Sequence, residues 1–540
     1  MKKIFNFVKV SALFLALCSA VACENELTTS DPTKISGADL LTNTAGLQKL
    51  LTSAYQDFIM DDGADQTGSS FQGCVGFGMI FDCAGSDICC FENYGGSPEE
   101  IYKFSQSRTQ SSGGSYRMWK KCYNIINQCN NILDNVDDAM GSDSDKTAIK
   151  GQALAMRGWS YFYLIMNYQQ TYSVAKAKRG AILRLHADDP ASMGFSTVEE
   201  TYVQIVSDLT SAKTALANFN RGSELWMVDK TVVSGMLARV YQVMENWSEC
   251  LKEATAAFNA FPTLMGKDQW YCGFDTLYED GCSELIWGCP FTNVNNISSN
   301  TPFNFWYNYD PSYGEQQMAA AVYNFLNMMV TQSYVDLFAN DPDDYRGFQN
   351  AKAGIEDAEE QAVMFWHRSH PAVSDKWAYN KIKSYGKYHD AQTSNGATGA
   401  SNYDISFPLM RSSEMLLIMA EAAEHVSHNG AQYLNKLRVA RGAKEVSSDI
   451  LEEIYRERRR ELLGEGITGS YDLLRLKKDL VRTVGDGEHF SYGVTYLDKG
   501  AGSTYTLPSN DYRFICQIPE LEIANNDEVS SSDQNPYKGQ

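Results

Sequence analysis

Aromatic rings set among polar side chains are the residues of this chain best suited to chemistry. Residues 301–313 read TPFNFWYNYDPSY and place six aromatic rings among two asparagines and one aspartate. Flat rings stack on the apolar C–H face of a sugar ring, while amide and carboxylate groups bond its hydroxyls. We therefore take Asn304, Trp306, Tyr307 and Tyr309 as candidate ligand-binding residues. Packing of a half-buried loop is the alternative interpretation, and it is the commoner use of such a stretch.

Two further stretches carry the same combination of residue types. Residues 91–96 read FENYGG, so Asn93 and Tyr94 lie beside two flexible glycines, just after a cluster of cysteines. Residues 365–368 read FWHR and add Trp366 as a third candidate position for ring stacking. The three stretches together form the ligand-binding hypothesis for this chain.

No pattern typical of a metal centre or a catalytic site accompanies these stretches. His367 and His370 are three residues apart, and a helix could bring them to one face, but no third ligand is evident. The thirteen cysteines include no C-x-x-C pair, and disulfides are the default expectation for an exported chain. We find no G-x-S-x-G, H-E-x-x-H, P-loop or G-x-G-x-x-G motif. We therefore expect no catalytic residue, metal or cofactor, and leave a structural calcium ion open.

Charge and composition exclude one class of partner. The 540 residues contain 67 acidic and 46 basic side chains, for a formal net charge of −21. Attraction to phosphate backbones requires clustered lysine and arginine, so we expect no nucleic-acid partner. A hydrophobic content of 44% and an aromatic content of 12% are typical of a folded globular protein.

The first segment indicates export and lipid anchoring. Two lysines precede an apolar run from Val10 to Ala22, which is 13 residues long. A bilayer span needs ~20 residues, so this run suits a signal peptide instead. The run ends Ala-Val-Ala before Cys23, which resembles a bacterial lipobox whose cysteine becomes the acylated first residue. Ordinary signal-peptide cleavage beside a coincidental cysteine is the alternative. We predict a signal peptide over 1–22 and a polar, lipidated leash over 23–38.

Helical periodicity dominates the rest of the chain. Apolar residues recur at i, i+3 and i+4, Ser196 and Glu199 form a capping box, and Asp229 caps the next helix. The predicted helices cover 119–136, 153–168, 196–212, 232–244, 247–258, 412–425, 433–441 and 448–463. Paired helices of this length resemble tetratricopeptide-type hairpins, although no strict repeat length is preserved.

These patterns predict a mainly α fold built as one unit. Helical hairpins over 39–261 and 401–540 form the scaffold, and residues 262–400 form a loop-rich insert that contains short strands. Binding residues are often carried by such insertions on a rigid scaffold. We therefore predict that the insert holds the ligand.

Seven segments, in order along the chain, resemble the SusD/RagB family of nutrient-uptake outer-membrane lipoproteins. The most specific is Glu457-Arg458-Arg459-Arg460-Glu461-Leu462-x2-Glu465-Gly466, which continues to Tyr471-Asp472-Leu473-x-Arg475. The other segments are Ala153–Leu164, Ser196–Ala212, Lys230–Tyr241, Arg411–Ala422, Leu434–Gly442 and Ile518–Pro536. One departure is Thr468, where the family often has arginine.

The resemblance implies a protein that captures glycan and does not catalyse. It would be lipid-anchored through Cys23 in the outer membrane, facing the exterior, and would deliver oligosaccharide to a SusC-like TonB-dependent transporter. Glu24-Asn25-Glu26 after that cysteine is similar to a surface-export signal. Family members place binding aromatics on the two insertions, but the residues vary. A peptide-capturing member of the family and a surface lipoprotein glycoside hydrolase are the alternatives.

The charged residues of the family motifs have a structural interpretation. We expect them to form buried or half-buried ion pairs that lock helix pairs and the C-terminal segment, rather than to contact ligand. These residues are Arg157, Glu421, Arg458, Arg459, Glu461, Glu465 and Asp472.

Overall fold

A computed structural model gives the architecture of the protein. The residues that it describes are 40–59, 73, 78, 81–90, 101–102, 104, 113–271, 282–291, 328–347, 365–368, 377–380, 405–483 and 504–536. Helices dominate these residues, and the strands form four two-stranded antiparallel sheets within the described ranges. The predicted mainly α fold is confirmed.

The first half of the scaffold is a succession of packed helices. The helices are α1 Thr44–Ile59, α2 Gly113–Asn135, α3 Asp143–Tyr168, α4 Tyr172–Ala175, α5 Val198–Ala215, α6 Lys230–Val243, α7 Trp247–Ala260 and α8 Lys267–Tyr271. Helix α2 packs against α3, and α1 contacts both. Helix α3 packs in turn against α5, and α6 contacts α5 and α7. Each of the predicted helices in this region is present, and α3 begins ten residues earlier than predicted.

The second half adds a short α9 and a compact group of C-terminal helices. Helix α10 is the centre of this group, since it packs against α7, α11 and α12. The helices are α9 Gln332–Val335, α10 Ser412–Ser427, α11 Ala431–Ala440, α12 Ile450–Leu462, α13 Ser470–Leu476 and α14 Glu520–Asn525. Short 3₁₀ turns cover Leu216–Asn218, Asp336–Phe338, Tyr512–Phe514 and Ser531–Asp533. The three predicted C-terminal helices are confirmed.

The strands form four pairs, two of which connect distant parts of the chain. The pairs are β1 with β3, β2 with β6, β4 with β5 and β7 with β8. The strands are β1 Ile88–Cys90, β2 Leu285–Phe291, β3 Met328–Val330, β4 Phe365–Arg368, β5 Trp377–Asn380, β6 Ile405–Arg411, β7 Leu480–Thr483 and β8 Thr504–Leu507. Two of the pairs, β1–β3 and β2–β6, join segments that are far apart in sequence.

Local signals explain where two of the helices begin. Asp229 Oδ1 accepts hydrogen bonds from the backbone N–H groups of Thr231 and Val232, each at 2.9 Å. These bonds satisfy donors that the first turn of α6 leaves without a partner inside the helix. The capping box of α5 is formed by Thr197 and Glu200, so the predicted Ser196–Glu199 box is wrong by one residue. The correct pair has the same spacing, which is why the sequence pattern did not distinguish them.

Small and sulfur-containing residues fill the core between the helices. A Cβ atom on Gly235 of α6 would lie 2.1 Å from Met410 Sδ, so glycine there allows α6 to approach β6 closely. Cys122 and Cys129 are fully buried on α2, as core packing predicts. Cys129, Cys250 and Cys282 carry free thiols, so the default expectation of disulfides is wrong for these three. No helix of the described ranges is long and apolar enough to cross a membrane.

We predict that Asp229→Ala lowers the free energy of unfolding by about 1–2 kcal/mol, because α6 loses its side-chain cap. Asp229→Asn is the matched control, since asparagine retains an acceptor oxygen for the cap and loses only the charge facing Arg221 at 3.2 Å. Urea unfolding followed by circular dichroism measures both variants. An alanine variant as stable as the asparagine variant would contradict a role for this cap.

Candidate functional site

The structure describes little of the predicted ligand-binding residues themselves. Trp366 lies on β4 and is paired with Tyr379 of β5 in the strand register. His367 is on the same strand, opposite Ala378, so the helix that could have aligned His367 with His370 is absent there. The remaining candidates lie outside the described residues: Cys23, Asn93, Tyr94, Asn304, Trp306, Tyr307 and Tyr309.

Strands β1 and β3 bring the ends of two candidate segments together. Cys90 at the end of β1 is paired with Met328 at the start of β3. The chain therefore enters residues 91–100 at the same end of this pair at which it returns from residues 292–327. Two stretches that are about 200 residues apart in sequence share one structural base, which the sequence did not predict.

Strands β2 and β6 form the base of residues 292–404, which include most of the insert. Phe291 is paired with Ile405 at one end, and Leu285 with Arg411 at the other. Residues 292–404 therefore leave and re-enter the scaffold at the same end of this pair. The register shifts between Leu285 and Gly288, so the paired strands are irregular near their closed end.

A buried arginine cluster lies at the closed end of the β2–β6 pair. We use this name for three arginines and the five carboxylates that they contact: Arg346, Arg411, Arg441, Asp344, Glu284, Glu457, Glu461 and Glu465. The three arginines are 0% exposed. Glu461 of α12 accepts hydrogen bonds from all three of them, at 2.8–3.0 Å. The cluster therefore joins β6, the end of α11, α12 and the insert.

Arg411 and Arg346 make the most contacts within the arginine cluster. Arg411 donates through Nε and Nη2 to both oxygens of Glu465, at 3.0 and 2.6 Å, and through Nη1 to Glu284 at 2.7 Å. Arg346 donates to Glu457 at 2.6 Å and to Asp344 at 2.7 Å. Paired, bidentate geometry of this kind is what a buried guanidinium needs to offset the loss of water.

The arginines keep the buried carboxylates ionised. Burial alone would raise the pKa of Glu461, but Arg441 and Arg411 outweigh burial and hold its pKa well below the usual range. Burial likewise opposes ionisation of Glu457, yet Arg346, Arg460 and Arg438 lower its pKa to about 2. These carboxylates are buried and paired with arginines, so their charges are used within the scaffold.

The other charged motif residues pair as expected. Arg157 bonds both oxygens of Asp208, at 2.7 and 2.8 Å, between α3 and α5. The remaining pairs are Arg458–Asp472 at 2.9 Å, Arg475–Glu421 at 2.6 Å and Arg459–Asp87 at 2.5 Å. The ion-pair interpretation of the family motifs is confirmed.

A buried aspartate holds the segment before β1 to the C-terminal region. Asp82 is 0% exposed and accepts hydrogen bonds from Gly464 N at 3.0 Å, Gly466 N at 3.1 Å and Thr468 Oγ1 at 2.6 Å. Thr468 is the position where the resembled family often has arginine, and here its hydroxyl is a neutral donor. Gly466 has a φ of +73°, and a Cβ atom there would collide with the backbone of Gly78.

Burial raises the pKa of Asp82 to about 7, even though Thr468 and the two glycine N–H groups lower it. The carboxyl group is thus a proton-binding group in the folded protein near neutral pH. Neither Asp82 nor Arg346 was singled out from the sequence. Asp82 and Thr468 are 386 positions apart, and Arg346 and Glu457 are 111 apart, so no local spacing could have revealed either contact.

Comparisons with known families match most of the described scaffold. A model described as "Starch-binding associating with outer membrane" matches residues 95–242, and a model described as "SusD family" matches residues 343–537. No curated protein matches the chain.

Solved structures share the fold over almost the whole chain. A SusD-like carbohydrate binding protein from Bacteroides vulgatus has a TM-score of 0.72 at 23% identity, over 92% of this chain and 99% of its own. A SusD superfamily protein from Bacteroides thetaiotaomicron has a TM-score of 0.69 at 20% identity, over 92% and 100%. A laminarin binding SusD-like protein has a TM-score of 0.63 at 17% identity, over 92% and 99%.

We predict that Glu461→Gln destabilises the protein by ~3–5 kcal/mol, because three buried guanidinium groups lose their shared anion. Glu249→Gln is the matched control, since Glu249 pairs with Lys252 at 2.7 Å on the exposed face of α7 and its loss costs about 1 kcal/mol or less. Denaturant unfolding compares the two variants. Equal stability losses would mean that the buried cluster contributes no more than a surface pair.

We predict that Asp82 makes stability fall as pH rises. The folded state retains its proton up to about pH 7, while the unfolded state releases it near 3.8, so stability is lost between these values, by at most ~1.4 kcal/mol per pH unit. The free energy of unfolding of wild type minus that of Asp82→Asn should decline over this window and then level off. Asp138→Asn, at an exposed position, is the control for the change of charge. A pH-independent difference for Asp82→Asn would contradict a shifted pKa.

Proposed function

The chain belongs to the SusD/RagB family, and we propose that it captures oligosaccharide at the cell surface without catalysis and delivers it to a SusC-like TonB-dependent transporter. A lipid on Cys23 would anchor it in the outer membrane, facing the exterior. The observation that carries the proposal is the shared base of the two aromatic insertions. Because Cys90 is paired with Met328, the chain enters residues 91–100 beside the point at which it returns from residues 292–327.

The rigid scaffold supports a role in binding. A ligand platform gains affinity when its groups are held in place before the ligand arrives. Residues 292–404 start and end on the β2–β6 pair. The arginine cluster holds the closed end of that pair. Asn304, Trp306, Tyr307, Tyr309, Asn93, Tyr94 and Trp366 are the residues that we propose to contact the ligand.

Glycan is the ligand class that we propose. One family model described by starch binding, and a structural relative described as laminarin binding, support a carbohydrate over a peptide. The interleaved rings and amides of residues 301–313 have the chemistry that sugar rings require. A peptide ligand for the same candidate residues is the alternative that the experiment below distinguishes.

The pairing of the carboxylates supports a non-catalytic role. Glycoside hydrolysis requires one carboxylic acid and one free carboxylate that face each other across the sugar. The buried glutamates of the arginine cluster are all hydrogen-bonded to guanidinium groups. Glu461 by itself accepts hydrogen bonds from three arginines. These glutamates therefore cannot act as the acid and base of a hydrolase.

Affinity electrophoresis of residues 24–540 through gels that contain laminarin, amylopectin or other polysaccharides tests the proposal. Retardation without release of new reducing ends is the expected result. Retardation with release would identify an enzyme. No retardation in any gel would overturn glycan capture by the isolated chain and favour the peptide-binding alternative.

We predict that Trp306→Ala weakens glycan binding by ~1–3 kcal/mol, as expected for the loss of one stacking anchor, and leaves the fold intact. Trp247→Ala is the matched control, because Trp247 stacks on His425 at 4.1 Å, on the helical scaffold rather than in the insert. Titration calorimetry with the retarding glycan measures both affinities. Unchanged affinity in folded Trp306→Ala would remove residues 301–313 from the site.

A further inference from the structure

Arg482 lies on β7 and contacts the two chain segments that flank the early insertion, residues 91–100. We call residues 81–90 the first stem, and residues 101, 102 and 104 the second stem. Its side chain is buried, with 3% of the residue exposed, and β7 pairs it with Tyr505 of β8. Nε donates to Gly85 O at 2.9 Å, and Nη2 donates to Cys83 O at 3.0 Å, on the stem before the insertion. Nη1 donates to Tyr102 O at 2.6 Å, on the stem after it. One guanidinium group thus bridges the two stems.

Aromatic contacts complete the site of this guanidinium group. Its Cζ atom lies 3.9 Å from the centre of the Tyr102 ring and 5.2 Å from that of Phe104. Phe104 in turn packs edge-on against Phe514 at 5.3 Å. The second stem is therefore held by a cation over two rings and by a hydrogen bond from the same cation.

The first stem has further attachments that do not depend on Arg482. Asp82 bonds the turn at Gly464, Asp87 pairs with Arg459 of α12, and β1 pairs with β3. The hydrogen bonds of Arg482 connect this fixed stem to the second one, whose Ile101, Tyr102 and Phe104 side chains also pack in the core. The guanidinium group of Arg482 is therefore a direct polar link between the two stems.

We propose that Arg482 is the positioning residue of the insertion that contains Asn93 and Tyr94. By bonding both stems it fixes the two ends of this insertion, whose Asn93 and Tyr94 the proposed function assigns to the ligand. This inference rests on the proposed glycan-binding function for its consequence on affinity, while its structural part can be tested without ligand.

Lysine cannot take over this role. The planar guanidinium group donates in three fixed directions at once, to carbonyls on two separate stems. An ammonium group is instead a single point charge at the end of a flexible aliphatic side chain. Arg482→Lys keeps the charge and most of the aliphatic side chain. Its effect therefore measures the contribution of the planar, multidentate guanidinium group. Arg179→Lys is the matched control, because Arg179 donates to Tyr168 O at 3.0 Å and lies over the Phe195 ring at 4.8 Å, away from the insertion.

Hydrogen exchange measures the structural part on the full chain without ligand. We expect Arg482→Lys to accelerate exchange of backbone amides in peptides that cover residues 83–104, compared with wild type. Arg179→Lys should leave these peptides unchanged. Equal exchange of residues 83–104 in wild type and Arg482→Lys, in a folded variant, would overturn the positioning role whether or not a glycan binds.

A double-mutant cycle measures the consequence for binding, with laminarin or amylopectin, whichever retards the wild-type chain. We expect Arg482→Lys to weaken binding roughly tenfold, about the loss of one hot-spot contact. Tyr94→Ala should weaken it too, and the double variant should bind no more weakly than the worse single variant, because both act through one insertion. Arg482→Lys combined with Trp306→Ala should instead show additive losses.

Each outcome of the cycle decides one point. Unchanged affinity in Arg482→Lys or in Tyr94→Ala, or additive losses in the double variant, would overturn the route through residues 91–100. If wild type binds neither glycan, the proposed function fails for these ligands, and the exchange comparison still decides whether Arg482 positions the stems.

Discussion

Burial of charge around Glu461 ties four distant parts of the chain together. Three fully buried arginines donate to this one carboxylate, and each of them needs further acceptors. Removing one ion from water costs several kcal/mol, so the arrangement is stable only when every partner is present. Arg346 comes from the insert, Arg411 from β6, Arg441 from the end of α11 and Glu461 from α12. These parts therefore assemble together or leave a charge unpaired.

This constraint separates a locked base from the segments that carry the binding hypothesis. The closed end of the β2–β6 pair, at Leu285 and Arg411, adjoins the arginine cluster, whereas the insert departs beyond Phe291 at the opposite end. Loops on such a base can change their side chains without altering the paired charges. The β1–β3 pair and Arg482 attach the early insertion to the same scaffold. A fixed scaffold with variable insertions is the arrangement that suits capture of different ligands by proteins of one fold.

Local features were predicted well where neighbours in sequence decide them. The cap at Asp229 and the helical periodicity of α2 to α7 depend on residues within one or two turns, so the sequence displays them directly. The capping box was misplaced because Ser196 and Thr197 both fit its spacing. In the folded chain Ser196 Oγ donates to Ala181 O at 2.7 Å, and Thr197 is left to cap the helix. His367 lies on β4 opposite Ala378, so its backbone conformation depends on a strand partner and not on its neighbours in sequence.

From the sequence alone we could predict the helical scaffold, the family, the candidate aromatic stretches and the pairing of motif charges with one another. The sequence could not determine which charges pair, because Arg346 reaches Glu457 across 111 positions and Asp82 reaches Thr468 across 386. Nor could it show that residues 91–100 and 292–327 share a base. Periodicity reports the faces of an element, whereas long-range partners depend on how all elements pack once their apolar faces are buried and their charges must find acceptors.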